Sequence, residues 1–224
     1  MKMYSNFIKQ VKSSFNNYLK QLRIDLFEYE SSELMVGDRT RRYMCDTKTR
    51  DTIFLISCPA SMNATDYTPT RFKCAINVVI EYMRLRAELC SNDRIALVCF
   101  NNETRQIIHL TDIRYDWTFS LEGREFEPRG TVHMGKGFGG VKRILRRQKQ
   151  PATETYVILI TDSPINGGIR FIDRLKKDHD IKIEVAAMGT HSASAEIHAS
   201  FIQFGVHSQR DLITYITLLA ERKV

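Results

Sequence analysis

Short runs of consecutive apolar residues alternate with longer stretches of helical periodicity from residue 51 to the end of the chain. The clearest run is residues 155–161, Thr-Tyr-Val-Ile-Leu-Ile-Thr, and residues 52–57 and 94–100 have the same character. A strand that is apolar at nearly every position is typical of a parallel sheet covered on both faces. The alternation therefore predicts an α/β fold with a doubly wound, mostly parallel, six-stranded sheet and helices on both faces, as in Rossmann-like proteins.

The other elements follow from the same patterns. A long helix is expected after residues 66–70, with Thr68 as its cap and Pro69 in its first turn, ending near Cys90. Residues 105–110 are expected to form a hairpin with the strand before them. The same patterns predict a strand at 181–188 and helices at 134–149, 168–177, 193–204 and 211–223.

The first fifty residues have a different pattern from the rest. Apolar side chains recur every three or four positions through residues 4–28, which predicts an amphipathic helix, and a polar stretch follows it. We therefore divide the chain into an N-terminal helical extension, residues 1–50, and a single domain, residues 51–224. The extension is expected to dock either on the domain or on a partner.

Cysteine usage and hydropathy bear on the location of the protein. The five cysteines are odd in number and none is spaced as Cys-x-x-Cys, so neither a disulfide framework nor a zinc ribbon is indicated. No apolar stretch has the length of a signal-peptide core or of a bilayer span. We expect a cytoplasmic protein that does not contact a membrane.

Polar residues follow two of the predicted strands at the point where each strand ends. Ser57 to Met62 follow the first strand, Thr161 and Asp162 follow the strongest one, and Gly130-Thr131 precedes the helix between them. In doubly wound sheets ligands bind at the carboxyl ends of the strands, beside the point where strand order reverses. These three loops therefore predict one functional edge.

This trio of loops, in this order, resembles the von Willebrand factor type A (vWA) domain family over about residues 51–224. The family's metal-ion-dependent adhesion site consists of an Asp-x-Ser-x-Ser loop, a threonine loop and a final aspartate. The resemblance places the ligand positions at Ser57, Ser61, Thr131 and Asp162. Ser57 stands where the family has its leading aspartate, and Pro59 stands at the first serine.

The loss of one carboxylate and one hydroxyl weakens such a site. Mg²⁺ requires near-octahedral oxygen ligands and gives up its water reluctantly, and Asp162 is the one acid left among the ligand positions. We therefore expect a degenerate site and no tightly bound cofactor. Metal-dependent protein binding through Mg²⁺ remains the alternative, since Asp66 in the following loop is a second carboxylate that could reach the site.

The resemblance implies a protein-interaction module that acts as a scaffold subunit of a larger complex. Residues 66–72 are also similar to a segment of intracellular scaffold vWA domains, and vWA proteins that partner AAA+ ATPases are equally compatible. The partner is expected at the loops 57–66, 129–135 and 162–168, because apolar and aromatic loop tips carry most contact energy. The residues that we expect to contact it are Met62, Asp66, Tyr67, His133 and Pro164.

Two other function classes have weaker support. Residues 130–137 nearly match a phosphate-binding loop, but no buried strand precedes them, so the glycines more simply allow close packing of a helix on the sheet. Cys58 has no base nearby in sequence, and we expect no enzyme. Basic residues along the helix 134–149, including Arg143, Arg146 and Arg147, leave nucleic-acid binding as a second alternative.

Overall fold

Five parallel strands form the centre of the sheet, and one antiparallel strand borders them on each side. The computed structural model describes residues 49–90, 92–113, 126–148, 154–165, 167–189, 197–198 and 201–221, all of which belong to one compact unit, Cys45–Val224. The strands are β1 (Arg50–Ser57), β2 (Arg94–Phe100), β3 (Thr104–Asp112), β4 (Glu154–Thr161), β5 (Lys182–Ala187), β6 (Ile197–His198) and β7 (Phe201–Gly205). The α-helices are α1 (Arg71–Leu89), α2 (Met134–Gln148), α3 (Ile169–Asp178) and α4 (Gln209–Glu221), and a short 3₁₀ turn covers Ala60–Asn63.

The order of the strands is β3-β2-β1-β4-β5-β7-β6. β1 lies between β2 and β4 and is parallel to both, whereas β3 returns beside β2 as a hairpin. β2 and β3 therefore lie on one side of β1, and the later strands lie on the other side. The carboxyl ends of β1 and β4, at Ser57 and Thr161, lie at the point where strand order reverses, as the sequence predicts.

Alternate side chains of β1 enter two separate cores. Phe54 and Ile56 belong to the core under α1 and α4, whereas Ile53 and Leu55 belong to the core under α2 and α3. All four side chains are fully buried. Burying one such side chain contributes about 1.5–3 kcal/mol, which is why an unbroken apolar run is stable only in a sheet with helices on both faces. The predicted architecture is confirmed.

The glycines of α2 bring that helix close to the sheet. A Cβ on Gly137 would lie 2.8 Å from the ring of Phe100 on β2, and one on Gly140 would lie 2.7 Å from Thr104 on β3. Residues 126–133, which precede the helix, contain no strand. These glycines therefore pack the helix on the sheet, as predicted, and the strand that a phosphate-binding loop needs is not found there.

The start of α1 differs from the prediction. The cap is Thr70, whose side chain accepts a hydrogen bond from the Lys73 backbone N–H at 3.2 Å, and the helix begins at Arg71. Thr68 and Pro69 lie in the preceding bend. The bend is held by Tyr67, whose hydroxyl donates to the Val206 carbonyl, and this long-range contact delays the helix by two residues.

The helix predicted at 193–204 is wrong. Ile197–His198 and Phe201–Gly205 are strands, so the sheet has at least seven strands instead of the six predicted. β7 pairs with β5 from Glu184↔Ile202 to Ala187↔Gly205. Alanines in this segment favour a helix locally, but the open edge of β5 offers a strand its hydrogen bonds, and such pairing overrides local propensity.

Two further findings bear on the surroundings of the protein. Within the described ranges, no helix is both long and apolar enough to cross a membrane. Cys58, Cys74 and Cys99 are free and buried, whereas Cys90 is disulfide-bonded, which was not predicted from the sequence.

The predicted amphipathic helix at 4–28 lies outside the described residues, and the division at residue 50 stays a prediction.

Candidate functional site

The loop after β1 and the loop before α2 are joined by backbone hydrogen bonds. Ala60 N–H donates to the Gly130 carbonyl and Arg129 N–H donates to the Cys58 carbonyl, both at 3.1 Å. The Asn63 side chain adds a third bond, to the Pro128 carbonyl at 3.0 Å. Because each loop satisfies the other's polar groups, the two form one continuous surface at the carboxyl edge of the sheet.

Arg71, the first residue of α1, connects the other two parts of this edge. Its Nη1 donates to Asp162 Oδ2 at 3.0 Å, just after β4. Its Nε and Nη2 donate to the two carboxylate oxygens of Asp66 at 2.7 and 2.6 Å. One guanidinium therefore bridges two carboxylates, and the pairing with Asp66 is bidentate, which is the strongest geometry for an arginine and an acid.

The backbone around Arg71 leaves room for the guanidinium. Gly189, which follows β5, has a φ of +65°, and a Cβ there would lie 2.6 Å from Arg71 Cζ. The Gly189 N–H also donates to the Tyr67 hydroxyl at 3.3 Å. The left-handed backbone and the close approach both require glycine at this position. Arg71 thus lies in a cradle made by Asp66, Asp162 and Gly189.

The electrostatics of the cradle favour a fixed positive charge. The Asp162 side chain is fully buried, and 13% of the Arg71 side chain and 46% of the Asp66 side chain are exposed. Hydrogen bonds from Arg71 lower the pKa of Asp66, and the hydrogen bonds to Asp66 and then Asp162 raise the pKa of Arg71 further above its usual value. Both partners therefore stay charged at neutral pH.

Three of the four positions expected to hold a metal have other side-chain partners. Ser57 donates to the Thr161 hydroxyl at 2.8 Å, and Thr131 donates to Asn102 Oδ1 at 3.3 Å. Asp162 is paired with Arg71, and Ser61 is exposed. No group of three potential acidic, histidine or cysteine ligands lies together in the part of the chain that is described. This donor set does not fit Mg²⁺, which needs several free oxygen ligands.

Two of the residues expected at the partner interface are buried. Met62 is fully buried and Tyr67 is 2% exposed, and both belong to the core under α1 and α4. The prediction that they form exposed tips is wrong, because the 3₁₀ turn directs Met62 inward and the hydroxyl of Tyr67 is used by the Val206 carbonyl. Asp66 is exposed but engaged by Arg71.

The other two expected contacts, His133 and Pro164, are exposed and line one groove. The groove has a volume of about 500 Å³ and lies between the start of α2 and the segment that leads from β4 into α3. Val132, Met134 and Phe171 contribute apolar surface to it, and Arg170 lies at its rim. The structure thus brings these two residues together at the edge that the sequence indicated.

Arg71 is a site residue that was not predicted from the sequence. A signal for it exists, since a basic residue in the first turn of a helix opposes the helix dipole and usually has an acidic partner nearby. Asp66 lies five residues before Arg71, but the partnership with Asp162 joins residues 91 positions apart and follows only from the fold. The burial of Cys58, which raises the pKa of its thiol well above the usual value, argues against a nucleophile there.

The fold and the order of the loops at its carboxyl edge are those of the vWA class. The family model described as "von Willebrand factor type A domain" matches residues 52–164, and the chain belongs to this family. The match runs from within β1 past the end of β4, and so includes the loop after β1 in which Ser57 and Pro59 stand at altered ligand positions. No curated protein matches the chain.

Solved structures with this fold are numerous, and the three described next are distant from this chain in sequence. The SpRpn10 VWA domain aligns with a TM-score of 0.60 and 19% identity, over 75% of this chain and 95% of that one. A von Willebrand factor type A protein from Catenulispora acidiphila aligns with a TM-score of 0.57 and 15% identity, over 77% and 42%. The PilB minor pilin from Streptococcus sanguinis aligns with a TM-score of 0.61 and 13% identity, over 79% and 61%. At these identities the likeness shows the fold alone.

Proposed function

We propose that this vWA domain is a non-enzymatic scaffold subunit that binds another protein at the carboxyl edge of its sheet without a metal ion. The observation that carries the proposal is the pairing of Arg71 with Asp162 and Asp66. A guanidinium placed between two carboxylates supplies the positive charge that a divalent cation supplies in metal-dependent members of the family. The edge is therefore organised before a partner arrives.

The loops of this edge offer a surface of the right kind for a protein. They are fixed by bonds such as Ala60 N–H to the Gly130 carbonyl, and a rigid surface loses little conformational entropy on binding. Exposed Pro164 and His133 lie beside half-buried Val132 and Phe171. A surface with apolar groups at its centre and polar groups at its rim is typical of protein interfaces.

The alternative of metal-dependent binding has less support. A cation would have to displace Arg71 from Asp162, leaving the guanidinium without its buried partner. Ser57 and Thr131 already hydrogen-bond Thr161 and Asn102, so few free oxygen ligands remain for the octahedral shell that Mg²⁺ requires.

Location and complex membership are further parts of the proposal. A cytoplasmic location is supported by the free thiols of Cys58, Cys74 and Cys99, whereas the disulfide at Cys90 is typical of oxidising compartments and counts against it. An AAA+ ATPase is one partner class that fits a scaffold of this kind. Fractionation of cells that express the tagged full chain tests the location.

Affinity purification of the tagged full chain tests the function. A protein captured at the edge should remain bound in excess chelator and should be lost when His133 and Pro164 are both replaced by aspartate. Ile213→Ser is the matched control, because Ile213 is an exposed apolar residue on α4, on the other face of the sheet. Loss of the captured protein in chelator, or its retention by the double variant, would contradict the proposal.

A further inference from the structure

Among the described helices, positive charge is concentrated on one side of the sheet. The helices α2 and α3, which pack against each other, carry nine basic and two acidic side chains. The helices of the other side, α1 and α4, carry five basic and four acidic side chains. We call the outer surface of α2 and α3 the basic face; its basic residues are Lys136, Lys142, Arg143, Arg146, Arg147, Arg170, Arg174, Lys176 and Lys177.

Most of this charge is available to a partner. Eight of the nine basic residues are exposed, and the ninth, Lys142, is half-buried and paired with Asp178 at 2.6 Å across the two helices. The Lys142–Asp178 bond joins α2 to α3, which also pack through buried apolar side chains such as Ile144 and Ile172. A surface with so large an excess of positive charge raises the local concentration of acidic partners and accelerates their association.

The groove of about 500 Å³ opens at the amino-terminal end of the basic face. Phe171 lines the groove, and its ring lies against the start of α2 because Gly135 has no side chain: a Cβ there would be 2.6 Å from the ring. Arg170 belongs both to the groove rim and to the basic face. The apolar pocket and the positive charge are therefore continuous.

We infer that this surface binds an acidic segment of the partner protein, with one bulky apolar side chain of that segment in the groove and its carboxylates on α2 and α3. The inference rests on the proposed function and names the chemistry of the partner. An acidic peptide with an apolar anchor uses both the groove and the basic face. An anchor in a pocket supplies affinity, and complementary charges increase the association rate and the selectivity.

A nucleic acid fits the surface less well. Its phosphates would use the arginines and lysines but would leave the apolar groove unfilled. Single-stranded nucleic acids also need exposed aromatic side chains on which bases stack. On the described part of α2 and α3, Phe171 is half-buried against Gly135 and Phe138 is buried, so no aromatic side chain is fully exposed.

Fluorescence anisotropy with the full chain tests the inference. The probe is a dye-labelled peptide in which a Leu-Phe pair lies between two short runs of glutamate; its controls are the same peptide with Ser-Ser in place of Leu-Phe, and a short DNA duplex. At about 150 mM salt, where distant charges are screened, the Leu-Phe peptide should bind about tenfold more tightly than the Ser-Ser peptide, as expected for one buried anchor.

Two sets of variants separate charge from shape. Arg170→Glu combined with Arg174→Glu should weaken both peptides at least about tenfold, whereas Arg210→Glu on α4 should change neither. Gly135→Ala, which displaces Phe171, should bring the Leu-Phe peptide to the affinity of the Ser-Ser peptide. Gly139→Ala is its control, because a Cβ on Gly139 meets nothing within 4 Å.

Three results would overturn the inference. These are failure of the Leu-Phe peptide to bind, equal affinity for the two peptides, and tighter binding of the DNA duplex with no effect of Gly135→Ala. If one of them occurs while the captured protein is still lost on changing His133 and Pro164, the proposed function stands and only the acidic chemistry of the partner is wrong.

Discussion

Asp162 is the residue on which the carboxyl edge depends. Its side chain is fully buried at the end of β4, where an unpaired carboxylate would be strongly unfavourable, and Arg71 is the cation that accompanies it. Arg71 gains a second acid, Asp66, at the surface. One positive charge between a buried and an exposed carboxylate leaves the cluster with a single net negative charge. The exposed carboxylate, Asp66, lies among the loops of the edge.

Removal of Arg71 is expected to be costly. Arg71→Met should lower the free energy of unfolding by about 3 kcal/mol, because the buried Asp162 carboxylate loses its counter-charge. Adding Asp162→Asn should recover at least half of that loss, since the charge that needed compensation is gone. Urea denaturation of the two single variants and the double variant measures both effects.

Arg84→Met is the control for this cycle. Arg84 also bridges two acids, Glu81 and Glu88, but on the exposed side of α1. Its loss should leave the free energy of unfolding nearly unchanged, because ion pairs between exposed side chains contribute little to stability. A loss as small as this in Arg71→Met would mean that Arg71 does not hold the edge together.

The Asp66 carboxyl reports on Arg71 directly. Its pKa should lie below the ordinary value of 3.8, because its hydrogen bonds from Arg71 favour the charged form, and it should return toward 3.8 in Arg71→Met. A lowered folded-state pKa means that the stabilisation is present above pH 3.8 and is lost as the pH falls through the folded value. Carboxyl chemical shifts in an NMR titration measure the pKa, and an Asp66 pKa above 3.8 in the unaltered chain would contradict the pairing.

At the scale of elements, α2 depends on glycine at the positions that meet the sheet. Gly137→Ala should destabilise the domain by about 1–3 kcal/mol, because its Cβ would lie 2.8 Å from the Phe100 ring in a packed core. Gly139→Ala, in open space on the same helix, should be neutral or stabilise the domain by up to about 1 kcal/mol. Thermal unfolding of the two variants measures the difference; equal midpoints would contradict the close packing of α2.

The elements that the sequence predicted well are those with a local signal. Unbroken apolar runs predict β1, β2 and β4, and the loops after two of these strands predict the carboxyl edge at Ser57 and Asp162. Residues 201–205 gave no such signal, because their strand depends on pairing with β5. When the secondary structure of a segment depends on the strand beside it, the segment's own residues are not enough to predict it.

The location of the candidate site could be predicted from the sequence, but several of the residues that form it could not. The edge and the absence of an acid at Ser57 follow from the motif, whereas Arg71 meets Asp162 only after the helix has been placed beside β4. Met62 and Tyr67 were assigned to the surface because loop residues usually lie there. Their burial depends on the 3₁₀ turn at Ala60–Asn63 and on the bond from Tyr67 to the Val206 carbonyl, neither of which has a signature in the sequence.

At the scale of the whole molecule, α1 carries a buried or half-buried arginine at each end. Arg71 serves the carboxyl edge, and Arg86, in the last turn, pairs with Asp93 and donates to the Ala220 carbonyl at 2.9 Å. Asp93 also accepts from the Arg50 N–H at 2.9 Å, although burial outweighs these partners and raises the pKa of its carboxyl. The amino edge thus uses its charges to join β1, α1 and α4, and the carboxyl edge uses them to organise a surface.

Calorimetric titration of Mn²⁺ and Mg²⁺ into the purified full chain tests the central claim most directly, because a guanidinium and a divalent cation cannot occupy the same place between Asp66 and Asp162. No saturable heat is predicted for the unaltered chain at metal concentrations up to about 1 mM, a range in which even weak extracellular cation sites are filled. A micromolar site that disappears in Asp162→Ala would show that the metal displaces Arg71, and would contradict the account.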